Sequence, residues 1–128
     1  MQLKNTRRFL ILAIAATSLF AQTSATPKVT HVLATLSLKP GITRDQIHKV
    51  MQSEVRETVA LYLDGKIQQW YSRGDGKGVV FLVDCKTVDE AKAILETLPL
   101  VKANFASFDY VPLGPLNPLR LLLAQPAQ

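Results

Sequence analysis

The sequence predicts an α+β domain in which four strands form one antiparallel sheet and two helices cover one of its faces. Its 128 residues, 48% of them hydrophobic and 20% charged, have the size and composition of a single compact domain and are too apolar for intrinsic disorder. Two helical segments begin at capping boxes, and turn signals separate four runs of strand-forming residues. The elements therefore follow the order strand, helix, strand, strand, helix, strand.

The first strand is predicted over residues 29–38, a run of β-branched and aliphatic residues that a Lys-Pro-Gly turn ends. A long helix follows it. Thr43 and Gln46 have the spacing of a capping box, and Arg44–Leu63 contains neither Gly nor Pro. The Asp-Gly pair that comes next, with Gly65 as C-cap glycine, is typical of a helix terminus. The sequence thus predicts a helix over the whole of this segment.

The middle of the chain predicts a hairpin, with strands over Lys66–Arg73 and Val79–Cys85 and a glycine-rich turn between them. A second capping box, at Thr87, begins an amphipathic helix that Pro99 ends. The fourth strand is predicted over Asn104–Leu113. This order is that of a ferredoxin-like βαββαβ domain, with both helices on the same face of the antiparallel sheet.

The other face of this sheet has no covering element in the predicted fold. Val79–Val83 is a continuous apolar run, which predicts that the third strand is buried on both sides. A domain spanning residues 26–113 is too short to add a third layer, so a second copy is expected to pack sheet against sheet in a homodimer or higher homo-oligomer. The Leu-rich tail, residues 114–128, is expected to pack on a neighbouring subunit, with a loosely ordered terminus as the alternative.

Residues 1–25 are predicted to be a secretory signal peptide. Basic residues precede the uncharged apolar stretch Phe9–Ala21, and small residues follow it, which places cleavage after Ala25. The mature protein is therefore expected to be periplasmic or secreted and to have no membrane segment. General secretory export is favoured over the twin-arginine route, which Arg7-Arg8 resembles in part, and an uncleaved anchor is the alternative.

Charge and cysteine content exclude two further classes of protein. Removal of residues 1–25 lowers the formal net charge from +5 to +2, which is too small for a nucleic-acid-binding surface. The single cysteine, Cys85, excludes an intrachain disulfide; a buried thiol is the favoured interpretation, with an intermolecular bridge or a reactive thiol as alternatives. His31, His48 and Cys85 share no ligand spacing, so no metal site is predicted.

Glu54 is the first candidate catalytic residue. On a helical wheel it lies in the middle of the apolar arc of the first helix, which is formed by Ile47, Val50, Met51, Val55, Leu61 and Tyr62. A carboxylate that faces the sheet is desolvated, which raises its pKa toward the range useful for proton transfer. The alternative is a structural role, in which an arginine or a hydroxyl of the sheet holds the carboxylate.

The second strand is predicted to lie in the centre of the sheet and to line a polar pocket. Alternation divides its residues between two faces, with Gln68, Trp70 and Ser72 on one and Ile67, Gln69, Tyr71 and Arg73 on the other. The walls of the pocket, which would bind a small molecule, are predicted to be Tyr62, Gln69, Trp70 and Tyr71. Arg73 is the candidate anchor for a carboxylate, and His31 on the first strand is a further candidate acid or base. The alternative is ordinary cross-strand packing with polar ends at the rim of a dimer.

Several motifs are spread over about residues 32–119: Leu36-Ser-Leu-Lys-Pro-Gly41, Glu54-Val-Arg-Glu57, Leu61-Tyr-Leu-Asp-Gly65, Gln69-Trp70-Tyr71, Leu98-Pro-Leu100 and Pro112-Leu-Gly-Pro115. Together they resemble the muconolactone delta-isomerase-like family of the dimeric α/β-barrel superfamily. The resemblance implies a dimer of ferredoxin-like domains that moves a proton within a small carboxylated lactone, without metal or organic cofactor. It implies Glu54 as the proton-shuttling carboxylate and Trp70 as a pocket wall, while Gln68 and Gln69 stand where the family has a histidine.

Three hypotheses about function follow. The first is a cofactor-free isomerase or related proton-transfer enzyme acting on a small carboxylated lactone or carbonyl compound, with Glu54 as base and Arg73 as anion anchor. The second is an exported, non-catalytic protein that binds a small molecule and in which Glu54 is structural. The third is a cofactor-independent monooxygenase of the same superfamily, which would rely on aromatic packing around an oxidisable substrate.

Overall fold

The computed structural model describes residues 28–116 and residue 123. The predicted signal peptide and most of the Leu-rich tail lie outside the described residues. The elements are, in chain order, β1 His31–Leu38, α1 Arg44–Leu63, β2 Ile67–Ser72, β3 Gly78–Val83, α2 Val88–Leu95, α3 Pro99–Lys102 and β4 Ala106–Leu113. The predicted βαββαβ order is confirmed, with one additional short helix.

Local capping explains where the two main helices begin. Thr43 Oγ1 accepts a hydrogen bond from the Gln46 N–H at 3.3 Å, and Gln46 Oε1 accepts one from the Thr43 N–H at 2.9 Å. Gly65 follows α1 at a φ of +76°, the left-handed conformation that favours glycine. Thr87 is the N-cap of α2, because its Oγ1 accepts from the Glu90 N–H at 3.1 Å, whereas the Glu90 carboxylate accepts from the Lys86 N–H at 2.8 Å. The capping box at Thr43 is therefore confirmed, and the one predicted at Thr87 is present only as its N-cap half.

The four strands form one antiparallel sheet in the order β2-β3-β1-β4, and the helices pack on one of its faces. The buried centre of that face consists of residues of β1 and β3 packed with the apolar side of α2: Val32, Ala34, Phe81, Val83, Ala91 and Leu95. α1 packs on the same face, where Ile47 and Val50 contact the cluster around Leu36. The molecule is thus an α+β domain compatible with a ferredoxin-like fold.

β2 lies at the edge of the sheet, so the predicted central position is wrong. Within the described residues it pairs with β3 alone. Ile67 is its buried residue, and the other positions of the strand are exposed. The polar sequence of β2 is therefore that of an edge strand with one side in solvent.

A β-bulge at Gln68 changes which residues of β2 share a face. The pairing with β3 skips one residue between Ile67 and Gln69. The extra residue places Ile67 with Trp70 on the helix-covered face and Gln69 with Tyr71 on the opposite face. The prediction from uninterrupted alternation, which put Ile67 and Gln69 on one face, is therefore wrong.

The short helix α3 is not among the predicted elements. α2 ends at Leu95, and Pro99 occupies the first position of α3 instead of only ending the preceding helix. Proline suits this position because its missing N–H would have no partner inside the helix. Leu98 is the N-cap residue and makes no side-chain capping hydrogen bond. Val101 N–H and Lys102 N–H donate to the Leu98 carbonyl oxygen, so the Leu100 N–H is the first-turn amide that must find a partner outside α3.

The face of the sheet opposite the helices, called here the open face, presents Leu33, Thr35, Tyr71, Val80, Leu82 and Val111. Val80 and Leu82 are half-buried in the single chain, so burial of β3 on both sides stays a prediction that requires a covering partner. Val111 is 52% exposed. Within the described part of the chain, no helix has the length and apolar character needed to cross a membrane.

Candidate functional site

A cavity of about 190 Å³ lies between α1 and the helix-covered face of the sheet and is called here the Glu54 cavity. Its larger walls are the apolar side chains of Leu36, Ile47, Met51, Trp70, Phe81 and Leu100. Glu54 is the one ionisable residue among those that line it, and Thr58 is the other polar side chain. The cavity therefore places a single carboxyl group in a mainly apolar enclosure.

The helical periodicity of α1 accounts for the position of these two polar residues. Glu54 is 6% exposed and Thr58, one turn later, is 1% exposed. The Thr58 hydroxyl donates to the Glu54 backbone carbonyl oxygen at 2.8 Å, so its polar atom is satisfied within the helix. The prediction that Glu54 faces the sheet is confirmed, although Val55 and Tyr62 of the same predicted arc are exposed.

The Glu54 carboxylate also caps α3. Its Oε2 accepts a hydrogen bond from the Leu100 N–H at 2.8 Å, across 46 positions of the chain. This amide belongs to the first turn of α3, where Leu98 provides no side-chain cap. The structural partner of Glu54 is therefore a backbone amide and not the arginine or hydroxyl of the sheet that the sequence suggests. The signal for it is Pro99, which marks a helix start.

Burial raises the pKa of the Glu54 carboxyl above its ordinary value. The Leu100 N–H acts in the opposite direction, because it stabilises the ionised form, and the negative charge of Glu57 raises the pKa further. The Oε1 atom makes no hydrogen bond to any described residue. A carboxyl group that is held by one oxygen and desolvated in a cavity is suited to accept and return a proton.

A second depression, of about 320 Å³, runs along the outer side of β2 and is called here the edge groove. It is lined by Tyr62, Gln68, Gln69, Trp70 and Tyr71. The four residues predicted to bind a small molecule are thus brought together. Trp70 lines the Glu54 cavity as well, and its ring packs edge-to-face on Phe81 at a centroid distance of 5.8 Å. One aromatic wall therefore separates the cavity from the groove.

Arg73 lies outside both depressions. Its Nη1 donates to Ser37 Oγ at 2.7 Å, and its Nη2 pairs with Asp75 Oδ2 at 2.5 Å. These contacts tie the β2–β3 hairpin to β1, so the guanidinium already has partners within the chain. The structure does not bring Arg73 to Glu54.

His31 is also separated from Glu54. It begins β1 opposite Leu113 and shares the open face with Leu33, whereas Glu54 lies on the helix side of the sheet. Its Nδ1 lies 3.0 Å from Thr30 Oγ1. Of the three candidate catalytic residues, Glu54 alone lines the cavity in a single chain.

Cys85 is buried, as expected for a thiol that packs as a small hydrophobic residue. Desolvation raises the pKa of its thiol, which disfavours the reactive thiolate. Within residues 28–116, no group of three or more His, Cys, Asp and Glu side chains is placed to hold a metal ion.

The fold and the site together define an α+β domain in which one buried carboxyl group lines an apolar cavity. No protein-family model matches the chain. No curated protein matches it at a significant level.

Proposed function

We propose that this chain is a cofactor-free proton-transfer enzyme of the muconolactone isomerase-like type, which isomerises a small lactone or carbonyl compound. The observation that carries the proposal is the Glu54 cavity, where the one ionisable residue among those lining the walls is a buried carboxyl with a raised pKa. Ionised Glu54 takes a proton from the carbon next to a carbonyl group, and the resulting acid returns it to another carbon of the same molecule. The double bond shifts and no oxidant or metal is needed.

The surroundings of Glu54 support this role. Leu100 N–H holds Oε2 and so fixes the direction of the carboxylate, which leaves Oε1 for the substrate. The apolar walls lower the polarity around the carboxyl group, which disfavours its ionised form and makes the carboxylate a stronger base than it would be in solvent. A volume of about 190 Å³ exceeds the ~150 Å³ that accommodates benzene, so one small ring fits.

The substrate is best supported as a neutral ring compound. Arg73, the anchor expected for a carboxylated substrate, is engaged by Ser37 and Asp75 and does not line the cavity. The walls would hold the substrate mainly by apolar contact, and Trp70 forms one of them. Unsaturated lactones and cyclic enones without a carboxylate group are therefore better candidate substrates than their carboxylated relatives.

Proton exchange in D₂O tests the proposal directly. Butenolides and cyclic enones are incubated with the protein, and NMR follows both double-bond migration and deuterium uptake. Glu54→Gln should lower the rate by a factor of ~100 or more, because the amide cannot accept the proton. Asp45→Asn removes an equal charge from an exposed position of the same helix that does not shift the Glu54 pKa, and it should stay within about threefold of the wild type. Equal rates in wild type and Glu54→Gln would refute the proposal.

The second candidate function is a non-catalytic binding protein, and the hydrogen bond from Leu100 N–H favours it. That bond gives Glu54 a structural task, since it caps α3. If this is its main role, the wild type binds small rings in the cavity but exchanges no protons. Binding measured in the same samples therefore separates the two functions.

We further propose that the protein is exported and that two copies form a dimeric α/β barrel through the centre of their open faces, around Leu33 and Leu82. Gln69 and Tyr71 lie on the edge strand of that face and then remain accessible at the rim of the interface. The resemblance supports the barrel, and the half-buried Val80 and Leu82 support a sheet that needs a cover. Expression of the full chain in a bacterium should yield a periplasmic product whose mass matches that of a chain beginning at Thr26. A product that retains residues 1–25 would contradict export with cleavage.

A further inference from the structure

The edge groove combines three aromatic side chains with two amides and contains no charged residue. Tyr62, Trp70 and Tyr71 are all exposed, by 48%, 36% and 58%. Gln68 and Gln69 complete the lining and are exposed as well. Aromatic rings clustered at one exposed place, next to groups that can both donate and accept hydrogen bonds, are typical of a binding site.

The bulge in β2 is what brings both amides to this groove. Successive residues of a regular strand point to opposite faces, so Gln68 and Gln69 would normally diverge. Gln68 is the extra residue of the bulge, and both glutamines line the groove. Tyr71 Oη donates to Gln69 Oε1 at 3.2 Å, which orients the Gln69 amide so that its NH₂ group stays free to donate.

We propose that the edge groove is a second binding site, separate from the Glu54 cavity, and that it takes a neutral saccharide of one or two rings. Sugar rings have apolar C–H faces, which pack on aromatic side chains, and a rim of hydroxyl groups, which pair with amides and phenols. A charged ligand would find no counter-charge among the lining residues. The volume of about 320 Å³ exceeds the ~150 Å³ of a cavity that holds benzene, so the groove has room for a hydroxyl-bearing ring, and its open side lets a second ring extend into solvent.

The chain provides its own probe for this site, because Trp70 is its single tryptophan and lines the groove. Maltose, cellobiose and N,N′-diacetylchitobiose are titrated into the mature protein while tryptophan fluorescence is recorded. At least one of them should give a saturable change, and saturation-transfer NMR should show contact between sugar C–H groups and aromatic protons. Binding in the millimolar range is expected for such an open groove.

Matched variants assign the signal to the groove. Tyr71→Ala should weaken binding about tenfold or more, and Tyr71→Phe should weaken it less, because it removes only the hydroxyl that orients Gln69. Tyr110→Phe, which removes a tyrosine hydroxyl that contacts Glu96 away from the groove, should leave sugar affinity unchanged. Glu54→Gln should also bind sugar normally, so failure of sugar binding and failure of the proposed proton transfer are independent results.

Three outcomes would overturn the proposal. One is the absence of a saturable response to all three sugars. Another is equal affinity in wild type and Tyr71→Ala, which would place the sugar elsewhere. The last is a response to tetramethylammonium but to none of the sugars, which would make the aromatic cluster a cation site.

Discussion

Glu54 is the residue at which burial and hydrogen bonding have opposite effects. Desolvation raises the pKa of its carboxyl, while the Leu100 N–H stabilises the ionised form and lowers that pKa. Oε2 accepts the hydrogen bond from α3, and the side chain lines the Glu54 cavity from its position on α1. A structural cap and a base suited to proton transfer thus coexist in one side chain, through its two oxygens.

The raised pKa of Glu54 makes the stability of the fold depend on pH. Because the folded protein keeps this proton to higher pH than the unfolded chain, the contribution to stability is complete at pH values below the ordinary carboxyl pKa of 4.5. It is lost as the pH rises through the raised pKa. Glu54→Gln does not titrate, so the free energy of unfolding of the variant should improve relative to the wild type as the pH increases.

Urea unfolding of both proteins at several values from about pH 4 to about pH 8 measures this difference. Asp45→Asn, at an exposed position of the same helix and not among the charges that shift the Glu54 pKa, is the control for a change of charge. A constant difference between wild type and Glu54→Gln across the whole range would contradict the raised pKa. A difference that moves in favour of the wild type at higher pH would indicate a lowered pKa, as in a structural ion pair.

At the scale of elements, the pairing of β1 with β3 depends on Gly78. Its φ of +153° is one that side-chain-bearing residues rarely adopt, and a Cβ at this position would overlap with the carbonyl oxygen of Leu36. Gly78→Ala should therefore destabilise the domain by about 2 kcal/mol or more. Gly74→Ala, in the same hairpin, meets no atom within 4 Å and should change stability little. Thermal or urea unfolding compares the two variants. Equal free energies of unfolding would show that β1 and β3 accommodate a Cβ at position 78 without loss of stability.

The elements also show which parts of the fold the sequence predicts. Capping boxes and turns are local signals, so both main helices and all four strands follow from residues close in the chain. The edge position of β2 and its bulge depend on pairing with β3, and a one-residue shift reverses a face. The burial of Glu54 follows from the period of one helix, but its bond to Leu100 joins residues 46 positions apart, beyond the reach of any local pattern.

At the scale of the whole molecule, the two faces of the sheet differ in whether the chain itself covers them. The face under the helices holds the core and the Glu54 cavity, so it is complete within one chain. The open face carries Leu33 directly opposite Leu82 at its centre, with Thr35 and Val80 beside them. In the proposed dimer, a second copy covers this centre with an identical surface by two-fold symmetry.

The proposed dimer predicts that one charge at this centre separates the subunits. In a two-fold interface, Leu82→Arg introduces the same cation on both copies at the apolar centre formed with Leu33, where each guanidinium would lose water and face a like charge. The dissociation constant should increase by a factor of ~100 or more. Leu63→Arg, at a position 77% exposed at the end of α1, introduces the same charge on the helix side of the sheet and should leave the dimer intact. Sedimentation velocity of the mature protein and both variants measures the masses. A wild type that sediments as a monomer at all concentrations would refute the dimer. A Leu82→Arg variant that remains dimeric would show that the open face is not where the copies meet.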